Sequence, residues 1–268
     1  LADHHLAVNV GGKDRPDPLR TAATILPAVP RPPDGDPVVG RAPRDDRWLR
    51  DWLTKSSEAQ QRVGAAIADG PFSGLAVTAT CWAGMDSDDL IFAAASRTVR
   101  NLEATMTPRH FPPWVIGNRG TSGIDGLVST AWGAAVAHQR QSPDGRTVAI
   151  LGDLAFLHDH NGLLAPSVEQ RPNLTIVVAD NNGGGIFSSL EQGDSDFVAD
   201  FERVFGTPHD LDLEEIARAT GIATASVTDA AQLALELGRA SDGVQIIIAR
   251  TIDREAEQAQ WADLIPAR

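Results

Sequence analysis

Residues Thr147–Phe187, TVAILGDLAFLHDHNGLLAPSVEQRPNLTIVVADNNGGGIF, decide how the rest of the chain is read. The stretch opens on an apolar run, Val148–Leu151, that reads as a buried parallel strand ending on Gly152-Asp153. A second run, Leu174–Ala179, ends on Asp180-Asn181-Asn182 and three glycines, Gly183–Gly185. About one helix of chain separates them, which makes a βαβ unit. The two strand ends of such a unit lie side by side at the sheet edge where open α/β folds bind ligands. Asp153 and Asn181, 28 positions apart in sequence, are therefore expected to converge. A carboxylate, an amide oxygen and a backbone carbonyl form a hard oxygen site suited to Mg²⁺. Glycines at 183–185 let the backbone approach a phosphate closely. On the residues alone, Asp153 can equally be a cap for the next helix and Asn-Asn-Gly only a turn.

The same alternation continues outward. Leu90–Ala95 is an apolar strand ending on Ser96-Arg97, with a short helix through Thr105 after it. Trp114–Gly117 is a short strand ending on Asn118-Arg119-Gly120, and alanine-rich Ile124–Gln139 is a helix. Leu213–Thr220 and Ala230–Ala240 read as helices around a strand at Ala223–Val227, and Val244–Ile252 as a last strand. Strands apolar on both faces, alternating with helices, imply a doubly wound α/β fold with a mostly parallel sheet.

Upstream, Trp48/Trp52, Leu49/Leu53 and Val63/Ile67 repeat at i, i+4, so a helix is expected with Asp45 or Asp46 as its N-cap. Residues 1–30 offer one strand, Leu6–Val10, and a helix-like stretch, Pro18–Leu26, too little for a core of their own. Ala28–Pro43 carries five prolines just after Pro27 and reads as a linker. Two segments follow: 1–43, a remnant of a preceding domain plus linker, and 44–268, the binding domain. With Leu1 already entering a strand, the chain reads as a piece of a longer polypeptide.

Composition narrows the function. Net charge is −13, which argues against non-specific nucleic-acid binding. No apolar run reaches the length of a membrane span and no signal peptide is legible, so a cytoplasmic location is expected. A single cysteine, Cys81, excludes an internal disulfide framework and fits a reducing compartment. Of 23 basic residues 21 are arginine, a bias that base composition explains, though a few can be carboxylate clamps. Neither a G-x-S-x-G elbow nor a P-loop occurs. His158-Asp159-His160 has the form of a zinc pair, but no third ligand cluster lies near it in sequence.

Gly152-Asp153 followed by Asn181-Asn182 at this spacing resembles the diphosphate-binding motif of the thiamine-diphosphate enzymes, with Leu154 where that motif usually has Gly. NRGTSGIDG (Asn118–Gly126), GDLAFLHDHNGL (Gly152–Leu163) and DNNGGGIF (Asp180–Phe187) are together similar to one family among them. These are the 2-succinyl-5-enolpyruvyl-6-hydroxy-3-cyclohexene-1-carboxylate synthases of menaquinone biosynthesis. The resemblance runs from about Asp45 to the C-terminus, and three motifs in the right order make it specific.

That resemblance implies thiamine diphosphate and Mg²⁺, with Mn²⁺ as the alternative ion. It implies Asp153, Asn181 and the Gly183 carbonyl as metal ligands. Gly152, Leu154, Ala155, Gly185 and Ile186 would contact the cofactor. The Ser122 carbonyl would accept from the aminopyrimidine, and Ile124 would hold the cofactor bent. Ser96, Arg100, Arg119, Ile186 and Phe187 would bind substrate. Both arginines follow strand ends, and guanidinium holds carboxylates bidentately; a solvated surface role is the plain alternative. The implied reaction decarboxylates 2-oxoglutarate and joins the remaining unit to isochorismate. In the family the proton-relay glutamate sits in an N-terminal domain with no counterpart here, so no catalytic residue is assigned. A site completed across a dimer or tetramer, and an inactive isolated fragment, follow as expectations. An acetolactate synthase, a 2-oxo acid decarboxylase or a non-catalytic α/β binding protein are the other readings.

Overall fold

Unbroken aliphatic runs build the central strands of the sheet. The computed structural model describes residues 6–8, 24–26, 46–118, 122–165, 168–169, 171–193, 195–239 and 243–264. The chain divides into two units, Leu1–Trp52 and Leu53–Arg268.

In the first unit β1 (Leu6–Val8) and β2 (Thr24–Leu26) pair in parallel. The helix-like reading of Pro18–Leu26 is therefore corrected at Thr24–Leu26. Two β-branched residues, Thr24 and Ile25, disfavour helix, and Leu6–Val8 supplies their backbone partners. Residues 18–23 and the linker 28–43 lie outside the described residues. The expected helix is α1 (Asp46–Ala68), and the break between the units falls inside it. No residue of α1 is buried, and Trp48 and Trp52 are 68% and 61% exposed.

The second unit is organised on six strands: β3 (Leu90–Ala93), β4 (Trp114–Ile116), β5 (Thr147–Gly152), β6 (Leu174–Asp180), β7 (Ala223–Val227) and β8 (Val244–Arg250). They form one sheet in the order β4-β3-β5-β6-β8-β7, every pairing parallel. The helices are α2 (Gly74–Ala83), α3 (Arg97–Thr105), α4 (Leu127–Gln141), α5 (Asp153–Asp159), α6 (Val198–Phe201), α7 (Leu213–Arg218), α8 (Ala230–Leu237) and α9 (Arg254–Leu264).

Period-two alternation divides the inner strands β3, β5, β6 and β8 between two cores, while the edge strand β4 is exposed. Phe92, Ala149, Leu151, Ile176, Val178, Ile246 and Ile248 face one way and pack with residues of α4, α5 and α7. Ile91, Ala93, Val148, Ile150, Val177, Ile247 and Ala249 face the other way and pack with residues of α2, α3 and α8. The fold is thus a doubly wound parallel α/β sheet covered on both faces.

From β3 the chain moves outward to β4, then crosses back to lay β5 on the other side of β3. The carboxyl ends of β3 and β5 therefore flank a topological switch point, where open α/β sheets bind ligands.

Several strands stop earlier than their apolar runs. Ala94 still donates to the Ile150 carbonyl at 3.0 Å, but Ser96 takes φ 82° and the chain turns into α3. Gly126, at φ 64°, delays the start of α4 to Leu127. Helices α2 and α9 have no signal among the sequence expectations.

Ile176 sits in the central strand β6 and is fully buried. Ile176→Ala is expected to cost about 2–5 kcal/mol, since the covered sheet cannot collapse onto the cavity. A urea midpoint equal to that of the wild type would contradict this packing.

Candidate functional site

At the switch point a cavity of about 490 Å³ opens between the turns that follow β3, β5 and β6. Ala95–Arg97 form one wall, Gly152–Ala155 the floor and Gly183–Phe187 the roof, with Ser122–Ile124 at one end. Every described residue put forward from the sequence as a site residue borders this space. Arg119 lies outside the described residues.

Asp153 is the centre of the arrangement. It is the first residue of α5 and only 2% exposed. Gly152 pairs with Ala179 across β5 and β6, so Asp153 and Asp180–Asn181 leave neighbouring strands at the same level. The Gly183 amide donates to Asp153 Oδ2 at 2.7 Å, and the Leu154 amide to Oδ1 at 2.6 Å. The 181–183 turn is thereby folded over the carboxylate.

Two residues not singled out as site residues on the sequence join it. His209 Nε2 lies 3.3 Å from Asp153 Oδ2 and 3.7 Å from Asp180 Oδ1, with its side chain 8% exposed. Among the described residues, Asp153, Asp180 and His209 form a group whose ligand atoms lie within 4.8 Å of one another. Burial first, and then the Asp153 charge, push the Asp180 carboxyl up from the ordinary carboxylate range. The hydrogen bond to Asp153 and the surrounding carboxylates raise the His209 imidazole, against the opposing effect of burial. His209 lies in an irregular stretch with no motif around it, which is why the sequence did not point to it.

The glycines do separate jobs. Gly183 adopts φ 134°, and a Cβ there would meet the Gly206 carbonyl at 2.3 Å. A Cβ on Gly184 would meet the Phe205 carbonyl at 2.1 Å. Gly184 N donates to that Gly206 carbonyl at 2.7 Å, so the roof rests directly on the 202–206 segment. From α9, Arg254 locks the same segment with a bidentate pair to Glu202 and reaches the Asn182 carbonyl at 3.3 Å. Asn182, at φ 62°, accepts from the His209 and Asp210 amides at 3.0 Å each and so fixes the loop that carries His209.

Asn181 spends its Nδ2 on Glu257 Oε2 at 2.7 Å. Glu257 is 4% exposed, borders the cavity and takes a second bond at 2.6 Å from the Gly74 amide at the start of α2. Burial, the largest influence, pushes its carboxyl up. Arg97 is a staple: one Nη donates to the Gly185 carbonyl at 2.6 Å, Ser189 Oγ at 2.9 Å and Gln258 Oε1 at 3.1 Å. Neither residue had a sequence signal, since nothing local marks a charged side chain as buried.

The expected substrate arginine, Arg100, is exposed at the rim and donates to the Ser96 carbonyl at 2.8 Å. Ile124 is half-buried against the core beneath the cavity. Phe187 borders the cavity and also packs on Phe205, 5.3 Å between centroids. His158 and His160 stay out of the metal-capable group; His160 Nδ1 bonds the Leu157 carbonyl at 2.9 Å. Asp159 instead accepts from the Ser129 amide at 2.8 Å, tying α5 to α4. Burial pushes the Cys81 thiol up to about 12, so it offers no nucleophile.

A covered parallel sheet with a carboxylate floor and a glycine roof at its switch point defines an α/β protein with a ligand-binding crevice there. The chain belongs to the thiamine pyrophosphate enzymes: the model of their C-terminal TPP-binding domain matches residues 103–249. Among curated proteins it is similar to a 2-succinyl-5-enolpyruvyl-6-hydroxy-3-cyclohexene-1-carboxylate synthase of Thermobifida fusca, 44% identical over 90% of this chain and 41% of that one. The protein of the same name from Nocardia farcinica is 43% identical over 85% of this chain and 42% of that one. The chain therefore spans about two fifths of the length of these relatives. A solved structure from Mycobacterium smegmatis, assigned to the thiamin diphosphate-dependent enzymes, shares the fold. Its TM-score is 0.53, with 22% identity over 68% of this chain and 32% of that one.

The roof is the most easily broken part. Gly183→Ala is expected to lower stability by on the order of 1–3 kcal/mol, because the left-handed backbone and the Gly206 carbonyl both oppose a methyl group. A thermal melt unchanged from wild type would contradict this geometry.

Proposed function

We propose that this chain is the diphosphate-binding part of a 2-succinyl-5-enolpyruvyl-6-hydroxy-3-cyclohexene-1-carboxylate synthase, residues 44–268 forming the binding domain and 1–43 the end of a preceding one. The observation that carries the cofactor assignment is the pairing of Asp153 with the 181–183 turn at the switch point. The synthase assignment rests on the curated relatives of that name, 43–44% identical over most of this chain.

The residues fit Mg²⁺ and thiamine diphosphate. Asp153 offers a carboxylate, and Asn181, its Nδ2 committed, offers an amide oxygen. The Gly183 carbonyl accepts one bond, from Gly185 N at 3.0 Å, and keeps a lone pair. These are the hard oxygen donors Mg²⁺ takes. Two neighbouring carboxylates, Asp153 and Asp180, leave negative charge that a cation neutralises. The three-glycine roof has no side chain to keep a diphosphate away.

Bound thiamine diphosphate supplies the stabilisation of the carbanion left when a 2-oxo acid loses CO₂. The protein binds, orients and excludes water. Asp153, Asn181 and Gly183 would hold Mg²⁺ and, with it, the diphosphate end. The Ser122 carbonyl would accept from the aminopyrimidine, and Ile124 would support the cofactor's rings. Ile186 and Phe187 close the apolar side and keep water out. Arg100, with Ser96 at its side, meets a carboxylate of 2-oxoglutarate or isochorismate at the rim. The proton relay and the far wall of the site belong to a domain outside this chain, supplied by a homo-oligomer.

Asp153→Ala in the full-length polypeptide is expected to abolish Mg²⁺-dependent binding of thiamine diphosphate. Calorimetry with unchanged affinity would overturn the metal assignment. Arg100→Lys keeps the charge and loses the planar fork. A lost charge-assisted bond of roughly 1.5–3 kcal/mol lowers kcat/KM about ten- to a hundredfold. That loss should fall on one of the two substrates, with cofactor affinity unchanged. Wild-type kinetics for both would leave Arg100 as a surface residue.

A further inference from the structure

We propose that Glu257 is a positioning residue: it fixes which end of the Asn181 amide faces the cavity, and so makes Asn181 an oxygen donor. This rests on the reading of Asn181 as a metal ligand.

A primary amide is nearly symmetrical in shape, with one end that donates and one that accepts. Packing alone does not tell the two ends apart, so a ligand role for Asn181 needs a partner that does. Glu257 is that partner. Its Oε2 takes Asn181 Nδ2 at 2.7 Å, and its Oε1 takes the Gly74 amide at 2.6 Å. Both bonds come from N–H groups, so neither oxygen of Glu257 has to carry a proton. A carboxylate whose two oxygens both accept from N–H groups offers Asn181 an acceptor and no donor. It therefore rejects the flipped amide, in which Oδ1 would face Oε2. The orientation is itself anchored: Gly74 opens α2, whose first turn is buried, and the Glu257 side chain is held at 4% exposure.

The placement is crowded for a purpose beyond filling space. A Cβ on Gly74 would meet Asn101 Nδ2 at 2.4 Å and Glu257 Oε1 at 3.0 Å, so the residue at 74 has no side chain and its amide stays within reach of the carboxylate. Arg97, bonded to Gln258 beside Glu257, faces it with a positive charge. A glutamine at 257 cannot do the same work. With its oxygen on Gly74 N, its NH₂ faces Asn181 and turns Nδ2 toward the cavity. With its oxygen on Asn181, its NH₂ opposes Gly74 N–H.

The test is a swap of hydrogen-bond polarity in the full-length polypeptide, read as Mg²⁺ affinity by calorimetry at saturating thiamine diphosphate, with a thermal melt of each variant. Glu257→Gln is expected to weaken Mg²⁺ about ten- to a hundredfold, the usual effect of losing a partner that orients a ligand. Combining it with Asn181→Asp restores the pairing in reverse. The introduced glutamine keeps the bond from the Gly74 amide through its oxygen. Its NH₂ donates to the introduced carboxylate at 181, whose other oxygen faces the cavity. The double variant should therefore bind Mg²⁺ at least tenfold better than the product of the two single effects predicts. Independent effects, or a Glu257→Gln variant with wild-type Mg²⁺ affinity, would overturn the proposal. Asn181→Ala separates this from the underlying reading. If it leaves Mg²⁺ affinity unchanged, Asn181 is no ligand and the metal-site reading itself fails. If it weakens Mg²⁺ while Glu257→Gln does not, only the positioning role fails. Should Glu257→Gln not fold, the double variant decides: near wild-type affinity supports the role, and a loss of tenfold or more contradicts it.

Discussion

The bond from the Gly183 amide to the Asp153 carboxylate joins the two halves of the site. It connects the end of β5 to the turn after β6 and holds a buried charge by a backbone donor. Burying a carboxylate costs free energy unless its oxygens are paired. Here the Gly183 and Leu154 amides and the His209 imidazole serve Asp153. The turn can fold down because Gly183 adopts φ 134° in a space closed to any Cβ. The Asn182, Arg254 and Glu202 contacts then fix the outer side of that turn.

Parallel register explains why the charges are crowded. Strands β5 and β6 run level, so Asp153 and Asp180 emerge together, and Asp180 is pushed up by burial and by its neighbour. Repulsion of this kind is tolerated where a cation or a protonated imidazole can answer it. Two helices distant in sequence complete the support. Helix α9 contributes Arg254 to the loop side and Glu257 to the amide side, one turn apart. The start of α2 contributes only the Gly74 amide, but that amide anchors Glu257.

Much of this was legible in the sequence for a physical reason. Strands buried on both faces must be continuous apolar runs, so β3, β5, β6 and β8 stand out without structure. The switch-point residues follow those runs at once, and the cavity walls at Ser96, Asp153 and Gly183 could be named in advance. What the sequence hid was contributed from elsewhere. His209, Arg97 and Glu257 act through contacts 56, 88 and 76 positions away, and nothing local marks a charged residue as buried. Residues 24–26 misled because Thr-Ile-Leu fits an amphipathic turn until a second strand lies beside it. His158-Asp159-His160 suggested a metal, yet its carboxylate binds the Ser129 amide and serves packing.

On the reading proposed here, Asp153, Asn181 and the Gly183 carbonyl form one oxygen site at the switch point. Anomalous diffraction from crystals grown with Mn²⁺ and thiamine diphosphate tests it most directly. A single Mn²⁺ peak is expected, bounded by Asp153 Oδ, Asn181 Oδ1 and the Gly183 carbonyl, with Asn181 Nδ2 still on Glu257. A peak held instead by Asp180 and His209, with Asn181 turned away, would contradict it.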